Sequence, residues 1–107
     1  MAENKVEELR LMMDRLLKLG RAPSQFSIVS HLLVSGRALT IREMAGEINL
    51  TPKATERAVA KLLNKRLIQR SPFRDGAYSC DSRRILLGIL MVVSDLSKRL
   101  ENKESTS

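Results

Sequence analysis

The chain has 107 residues, within the usual range for one domain. Hydrophobic residues make up 43%, which excludes wholesale disorder, but aromatics only 3%, so the core must be aliphatic: Leu, Ile, Val, Met and Ala carried on helices. A net charge of +7, from 19 Lys and Arg against 12 Asp and Glu, points to polyanionic partners, while a single cysteine, Cys80, excludes an internal disulfide and suits a reducing compartment.

Taken in chain order, residues 3–19 read as an amphipathic helix. Val6, Leu9, Met13 and Leu16 step by three and four, with Met12 and Leu17 broadening the stripe. Gly20 stands where a left-handed cap would close that helix. Pro23-Ser24 restarts the chain, and Phe26, Ile28, Val29, Leu32 and Leu33 mark a second helix ending at Ser35-Gly36. Thr40-Ile41-Arg42-Glu43 has the form of a capping box and opens a third helix, which ends near Ile48. Asn49 and Leu50 make a tight turn. Thr51-Pro52 then opens a fourth helix, Thr as N-cap and Pro at the first helical position. One face of it carries Ala58, Val59, Leu62 and Leu63, the other Lys53, Glu56, Arg57, Lys61 and Asn64. Leu67-Ile68-Gln69-Arg70 alternates, Asp75-Gly76 is a turn signal, and Ala77-Tyr78-Ser79-Cys80 alternates again, which predicts a β-hairpin. Asp81 or Ser82 caps a last helix to about Asn102, with Leu86, Ile89, Val93, Leu96 and Leu100 on a three–four repeat. Lys103 to Ser107 reads as a polar, frayed tail.

The expected fold is therefore mostly α with a small β-hairpin wing (α+β), as a single domain over 1–107. A winged helix-turn-helix core, 23–80, lies between long terminal dimerisation helices, 3–19 and 82–102. Two helices joined by a short turn form the unit whose second helix enters the major groove of duplex DNA. Here that helix is 52–66, and the wing, 67–80, would lie on the flanking backbone or minor groove. The charge agrees: residues 36–80 hold nine basic and four acidic residues, net +5, against +1 for 1–35 and +1 for 81–107. The plainer reading of that excess is a generally basic, solvated surface.

The run Thr55-Glu56-Arg57-Ala58-Val59-Ala60-Lys61-Leu62-Leu63-Asn64-Lys65-Arg66-Leu67-Ile68-Gln69-Arg70 resembles the recognition helix and first wing strand of MarR-type and TrmB-type winged-helix regulators. Those proteins show Thr-x-Arg-x-Val, then Leu, then a basic-Gly-Leu-Ile-x-Arg ending; Arg66 stands where their Gly usually sits. The order of helices is similar to that of the small dimeric winged-helix proteins common in archaea. The resemblance implies a homodimer on double-stranded DNA, acting as a transcriptional regulator or, in some members, as an abundant chromatin-like protein. It also implies a small-molecule effector between dimer helices and core, although aliphatic helices offer few polar groups to orient one.

Lys53, Thr55, Glu56 and Arg57 occupy the first turns of the recognition helix, where side chains reach base edges. Arg57 suits guanine O6 and N7, and Glu56 suits cytosine N4, unless it pairs with Lys53 instead. Lys61 and Asn64 lie further along and suit phosphates. Thr40 and Thr51 sit at helix N-termini whose N–H groups also suit phosphate oxygens; Arg42 follows on the third helix, and Arg70 and Arg74 flank the wing tip. Dimerisation falls to Val6, Leu9, Met13, Leu16, Leu86, Ile89, Val93, Leu96 and Leu100, as a coiled-coil-like seam, the alternative being that these stripes fold back onto the domain. His31 lacks partners at metal-ligand spacing. Cys80 reads either as a redox sensor beside Arg83 and Arg84 or as a small apolar strand residue. Phe73 and Tyr78 read either as contacts to DNA or a sugar or, as wing aromatics more often do, as side chains pinning the hairpin to the core. Met12, Met13, Met44 and Met91 are core fillers.

No phosphate loop, dinucleotide fingerprint, zinc motif or nucleophile–base constellation is present, so neither enzyme activity, cofactor nor metal is expected. No secretory signal is apparent, and the longest apolar run, Ile85 to Val93, is interrupted by Gly88 and too short for a bilayer. The expectation is a soluble cytoplasmic, nucleoid-associated protein with no membrane partner. A winged-helix protein–protein module, its basic face on an acidic partner, is the remaining function class.

Overall fold

The computed structural model describes the backbone of residues 2–106 and the side chains of residues 7–102. Helix α1 (Ala2–Lys18) runs into a 3-10 turn (Leu19–Arg21) and is followed by α2 (Pro23–Ser35), β1 (Leu39–Thr40), α3 (Ile41–Ile48) and α4 (Pro52–Asn64). Strands β2 (Gln69–Arg70) and β3 (Ala77–Ser79) then lead to α5 (Ser82–Thr106). Helices dominate, with one small three-stranded antiparallel sheet in the order β1-β3-β2, an α+β arrangement. Leu39 pairs with Tyr78 and Thr40 with Ala77, while Gln69 and Arg70 pair with Ser79 and Tyr78. Strand β1 has no counterpart in the sequence reading. It is two residues long, and its pairing partner is remote in the chain, so no local alternation marks it.

The helix ends follow their capping chemistry. Thr40 Oγ1 accepts the Glu43 N–H at 3.2 Å, and Glu43 Oε1 accepts the Thr40 N–H at 2.9 Å, completing the capping box of α3. Thr51 Oγ1 accepts the Ala54 N–H at 3.1 Å and caps α4. Of the two candidates at the start of α5, Asp81 is the cap, its Oδ1 accepting the Arg84 N–H at 3.3 Å. Gly36, at φ +63°, closes α2 in the left-handed conformation. Gly20 does not close α1 that way. The helix tightens into the 3-10 turn, whose Leu19 carbonyl accepts the Ala22 N–H, and Leu19 is thereby driven into the core. The tail is also corrected: α5 continues through Thr106, four residues past Asn102, and Ser107 lies outside the described residues.

Helix α4 stops at Asn64, two residues before the expected end, in a Schellman motif. The Leu67 N–H donates to Leu62 O and the Arg66 N–H to Leu63 O, each at 3.0 Å. Arg66 occupies the left-handed position itself, at φ +59°. Leu62 and Leu67, brought together by this turn, are both buried.

The core lies where α2 and α3 pack against α4. Ile28 and Leu32 from α2, Leu39 from β1, Met44 from α3, and Val59 and Leu62 from α4 are almost wholly removed from solvent. Burial at this level contributes roughly 1.5–3 kcal/mol for each large side chain. Helix α1 lies along α5, and Met12 and Ile85 carry that pair onto the same core. At Gly88 the two helices come close: a Cβ there would stand 2.6 Å from the Met12 methyl. Among the described residues, no helix is long and apolar enough to cross a membrane.

Candidate nucleic-acid interface

Helix α4 divides into two faces. Thr55, Ala58, Val59 and Leu62 are buried, while Lys53, Glu56, Arg57 and Lys61 are exposed on one stripe of the opposite side. None of these four exposed side chains has a hydrogen-bond or ionic partner among the described residues, so Glu56 does not pair with Lys53. Arg57 and Lys61 border a cleft of about 350 Å³ whose far wall is Arg21, Pro23, Ser24 and Gln25. Helix α2 has no side-chain cap at that end. The Ser24 and Gln25 N–H groups have no helix partner there, and Arg21, Arg57 and Lys61 line the same hollow, a composition suited to a phosphate oxygen. The sequence reading missed Arg21, which looks like an ordinary charge beside a glycine until the 3-10 turn carries it to α4.

Several expected contacts lie elsewhere. Thr55 is fully buried, and its Oγ1 donates to Thr51 O at 2.9 Å; it is a core residue and cannot reach a base edge. Its place in the motif concealed this, because Thr at that spacing suits either face. Thr40 offers no free helix terminus, since the Glu43 carboxylate already sits on it and would repel a phosphate. Arg74 is not a free wing-tip cation: its Nη1 donates to Glu43 Oε1 at 2.7 Å and to Ala38 O at 3.0 Å, fastening the hairpin to the start of α3. Arg74, followed by the Thr40 N–H, holds the Glu43 carboxyl well below the ordinary range, at about 2. Asn64, although exposed, lines a hollow with Glu8, Leu11, Arg15, Arg66 and Arg84, beside α1 and α5 rather than beside Lys53 and Arg57.

The rest of the expected set is presented to solvent. Thr51 caps α4 and is exposed. Arg42 is exposed on α3. Arg70 is exposed on β2, its guanidinium 5.7 Å from the centre of the Tyr78 ring. Tyr78 is half-buried and packs on the core, as expected, but Phe73 pins nothing: its side chain is 98% exposed.

An apolar stripe is open along α5. Leu86, Ile89, Val93, Leu96 and Leu100 are all exposed along α5, joined by Leu87 and Leu90. On α1, Leu9 and Leu16 pack partly on the core, Met13 is partly covered, and Leu11 and Leu17 are exposed; Val6 lies outside the described side chains. The stripe of α1 thus folds back in part, whereas that of α5 stays open. Met12 and Met44 are buried core fillers, while Met13 and Met91 are only partly covered.

Two guanidinium groups join α1 and α5 to the end of α4. Arg15 Nη1 donates to Lys65 O at 2.6 Å, and Arg84 Nη1 to Arg66 O at 3.2 Å, both at the negative end of the α4 dipole. Lys65 Nζ donates to Gln25 Oε1 at 2.7 Å, which satisfies that buried amide oxygen. His31 Nε2 meets Glu47 Oε1 at 2.8 Å, and the same oxygen takes Arg37 Nη2 at 3.1 Å, a link between α2 and α3 rather than a ligand set. Burial, reinforced by Asp81, pushes the Cys80 thiol up to about 11, and its Sγ lies 3.4 Å from Leu67 O. Cys80 is thus a half-buried thiol held toward its protonated form, which weighs against the sensor reading. A cavity of about 210 Å³ among Met12, Leu67, Arg84 and Ile85 is smaller than a typical small-molecule pocket.

The chain matches no protein-family model, no curated protein and no solved structure.

Proposed function

We propose that this chain is a winged helix-turn-helix protein that binds double-stranded DNA as a homodimer. Helix α4 enters the major groove and the β2–β3 hairpin is the wing, lying on the flanking backbone or minor groove. The observation that carries the reading is the stripe of Lys53, Arg57 and Lys61. These cations are exposed and unpaired among the described residues, on a helix whose other face is locked into the core, and two of them, Arg57 and Lys61, line a cleft with Arg21 beside the uncapped start of α2. Arg57 and Glu56, in the early turns, are the base-reading pair; Lys61, Arg21 and the α2 amides hold a phosphate. Self-association uses the open stripe of α5. Large apolar side chains running the length of one helix exceed what a monomer ordinarily leaves in water. A transcriptional regulator, resembling the MarR and TrmB types, is the role this design suits best.

Fluorescence anisotropy with a random-sequence duplex over several salt concentrations tests the DNA face. Neutralising about six to ten phosphates gives a slope of log K against log salt near −5 to −9. Arg57→Ala weakens a selected site by about 1–3 kcal/mol and relaxes base preference there. Absence of binding at low salt overturns the reading and directs the basic face to an acidic protein partner. Sedimentation tests the dimer: twice the 12.1 kDa chain mass is expected, and Val93→Glu reduces it to one chain. A wild-type monomer at micromolar concentration refutes self-association.

A further inference from the structure

Phe73 is the one large side chain on the hairpin that folding does not use. Its exposure of 98% means that ordering it gains almost none of the burial an aromatic ring usually brings. Yet the loop that carries it is braced from several directions. Ser71 Oγ accepts the Phe73 N–H at 3.2 Å and the Arg74 N–H at 3.1 Å, and the Ser71 N–H donates to Ala77 O at 2.8 Å. Gly76 turns the chain back at φ +70°. Arg74 ties the loop outward to Glu43 and Ala38, so the tip is anchored to α3, which packs against α4. Pro72, exposed beside the ring, stiffens the approach. A braced loop showing water a Pro-Phe pair, with the cation Arg70 on the adjoining strand, is a shape awaiting an apolar slot on an anionic partner.

Building on the DNA-binding reading, we infer that Phe73 is a minor-groove wedge. With α4 in the major groove, it inserts against a base step of the flanking minor groove, partly unstacks it and kinks the duplex. Minor-groove proteins use Phe and Pro in this way, and the unstacked step accepts apolar contact that a water-exposed loop cannot obtain within its own fold. The bases of duplex DNA present their apolar faces only between steps, so a ring that probes them must be exposed, and Phe73 is exposed on a loop whose backbone is braced. Flexible pyrimidine–purine steps in the flank are the preferred seats, because they unstack most easily.

The test uses the full chain and a duplex recovered by site selection, labelled at its ends for energy transfer and carrying 2-aminopurine at pyrimidine–purine steps of the flank. Wild-type protein raises both the 2-aminopurine fluorescence and the end-to-end transfer. Phe73→Ala keeps the steep salt dependence but loses both rises, and Phe73→Leu, still apolar, retains most of them. Because the ring touches nothing in the fold, each variant keeps the wild-type melting temperature. Equal signals from Phe73→Ala and wild type, or wild-type binding that leaves both signals flat, overturn the wedge while leaving the DNA reading intact. No wild-type binding at low salt overturns both.

Discussion

Replacing Arg66 by glycine should stabilise the protein, and the size of the gain follows from one dihedral angle. Arg66 is held at φ +59° as the left-handed residue of the Schellman turn that closes α4. A left-handed conformation costs an L-residue about 1–2 kcal/mol through the crowding of Cβ against the carbonyl oxygen, a cost glycine escapes. Glycine adds freedom to the unfolded chain, which opposes the gain by about 0.4–1 kcal/mol. The backbone partners survive the change, since the Arg66 carbonyl still accepts from Arg84 and its N–H still donates to Leu63. The net expectation is a stabilisation of about 0.5–1 kcal/mol, a rise of a few degrees in Tm for a chain of this size. Arg66→Ala is the control: it removes the same guanidinium from a cationic neighbourhood but keeps the strain. Urea unfolding at fixed protein concentration measures all three proteins, because self-association would otherwise shift the midpoint. If Arg66→Gly gains no more than Arg66→Ala, the left-handed turn is not the source, and the argument from φ fails.

Other expectations follow from single features. Thr51→Ala removes the side-chain cap of α4 and should cost about 1 kcal/mol in thermal unfolding. Glu43, its pKa depressed to about 2, contributes stability that is complete above its ordinary value of 4.5 and lost as pH falls through 2. Glu43→Gln should therefore flatten the acid limb of a stability-against-pH curve, and an unchanged limb would show that the Arg74 contact contributes nothing. Gly88→Leu, inserted where even a Cβ would meet the Met12 methyl at 2.6 Å, should destabilise by about 1–3 kcal/mol. Gly88→Ala should be close to neutral, because the flexible Met12 end swings aside while helix propensity improves by about 1 kcal/mol. Cys80, protonated at neutral pH, should react with a thiol reagent much more slowly in the folded protein than in urea.

The elements that were legible in the sequence are those whose signals are local. The capping box at Thr40 and Glu43, the Thr51-Pro52 start and the hairpin turn at Gly76 are each set by hydrogen bonds within a few residues, and each appears where it was expected. What could not be read locally depends on contacts distant in sequence. Strand β1 exists because Leu39 meets Tyr78. Arg74 was expected at a wing tip but swings to Glu43, a partner on another element. Thr55 illustrates the ambiguity of a short polar residue on a helix: its hydroxyl satisfies itself on Thr51 O, so burial needs no further partner and no pattern announces it. Among the candidate site residues, Arg42, Lys53, Glu56, Arg57 and Lys61 are side chains that long-range contacts left alone, and they are exposed as expected. Arg21 joined them only through a 3-10 turn that replaced an expected glycine cap.

The arginines at the end of α4 bear on how a dimer would read DNA. A two-fold symmetric protein meets successive major grooves only if its recognition helices are held roughly 34 Å apart, and a few ångströms of slack would spoil the register. The usual difficulty is that a dimer seam lies far from the helix it must position. Here the open stripe of α5 and the end of α4 are linked through two short contacts, Arg84 to the Arg66 carbonyl from α5 and Arg15 to the Lys65 carbonyl from α1. Both carbonyls lie in the closing turn of α4, where helix geometry leaves them without an intrahelical donor and the helix dipole favours a cation. The left-handed Arg66 is part of the same device, since it turns the chain so that consecutive carbonyls face two different helices. On the proposed reading, a variant of Arg15 or Arg84 would leave the cations of the DNA face in place and the seam of α5 intact. It would loosen a polar joint between them, so specificity for a two-site operator would fall further than affinity for a single half-site.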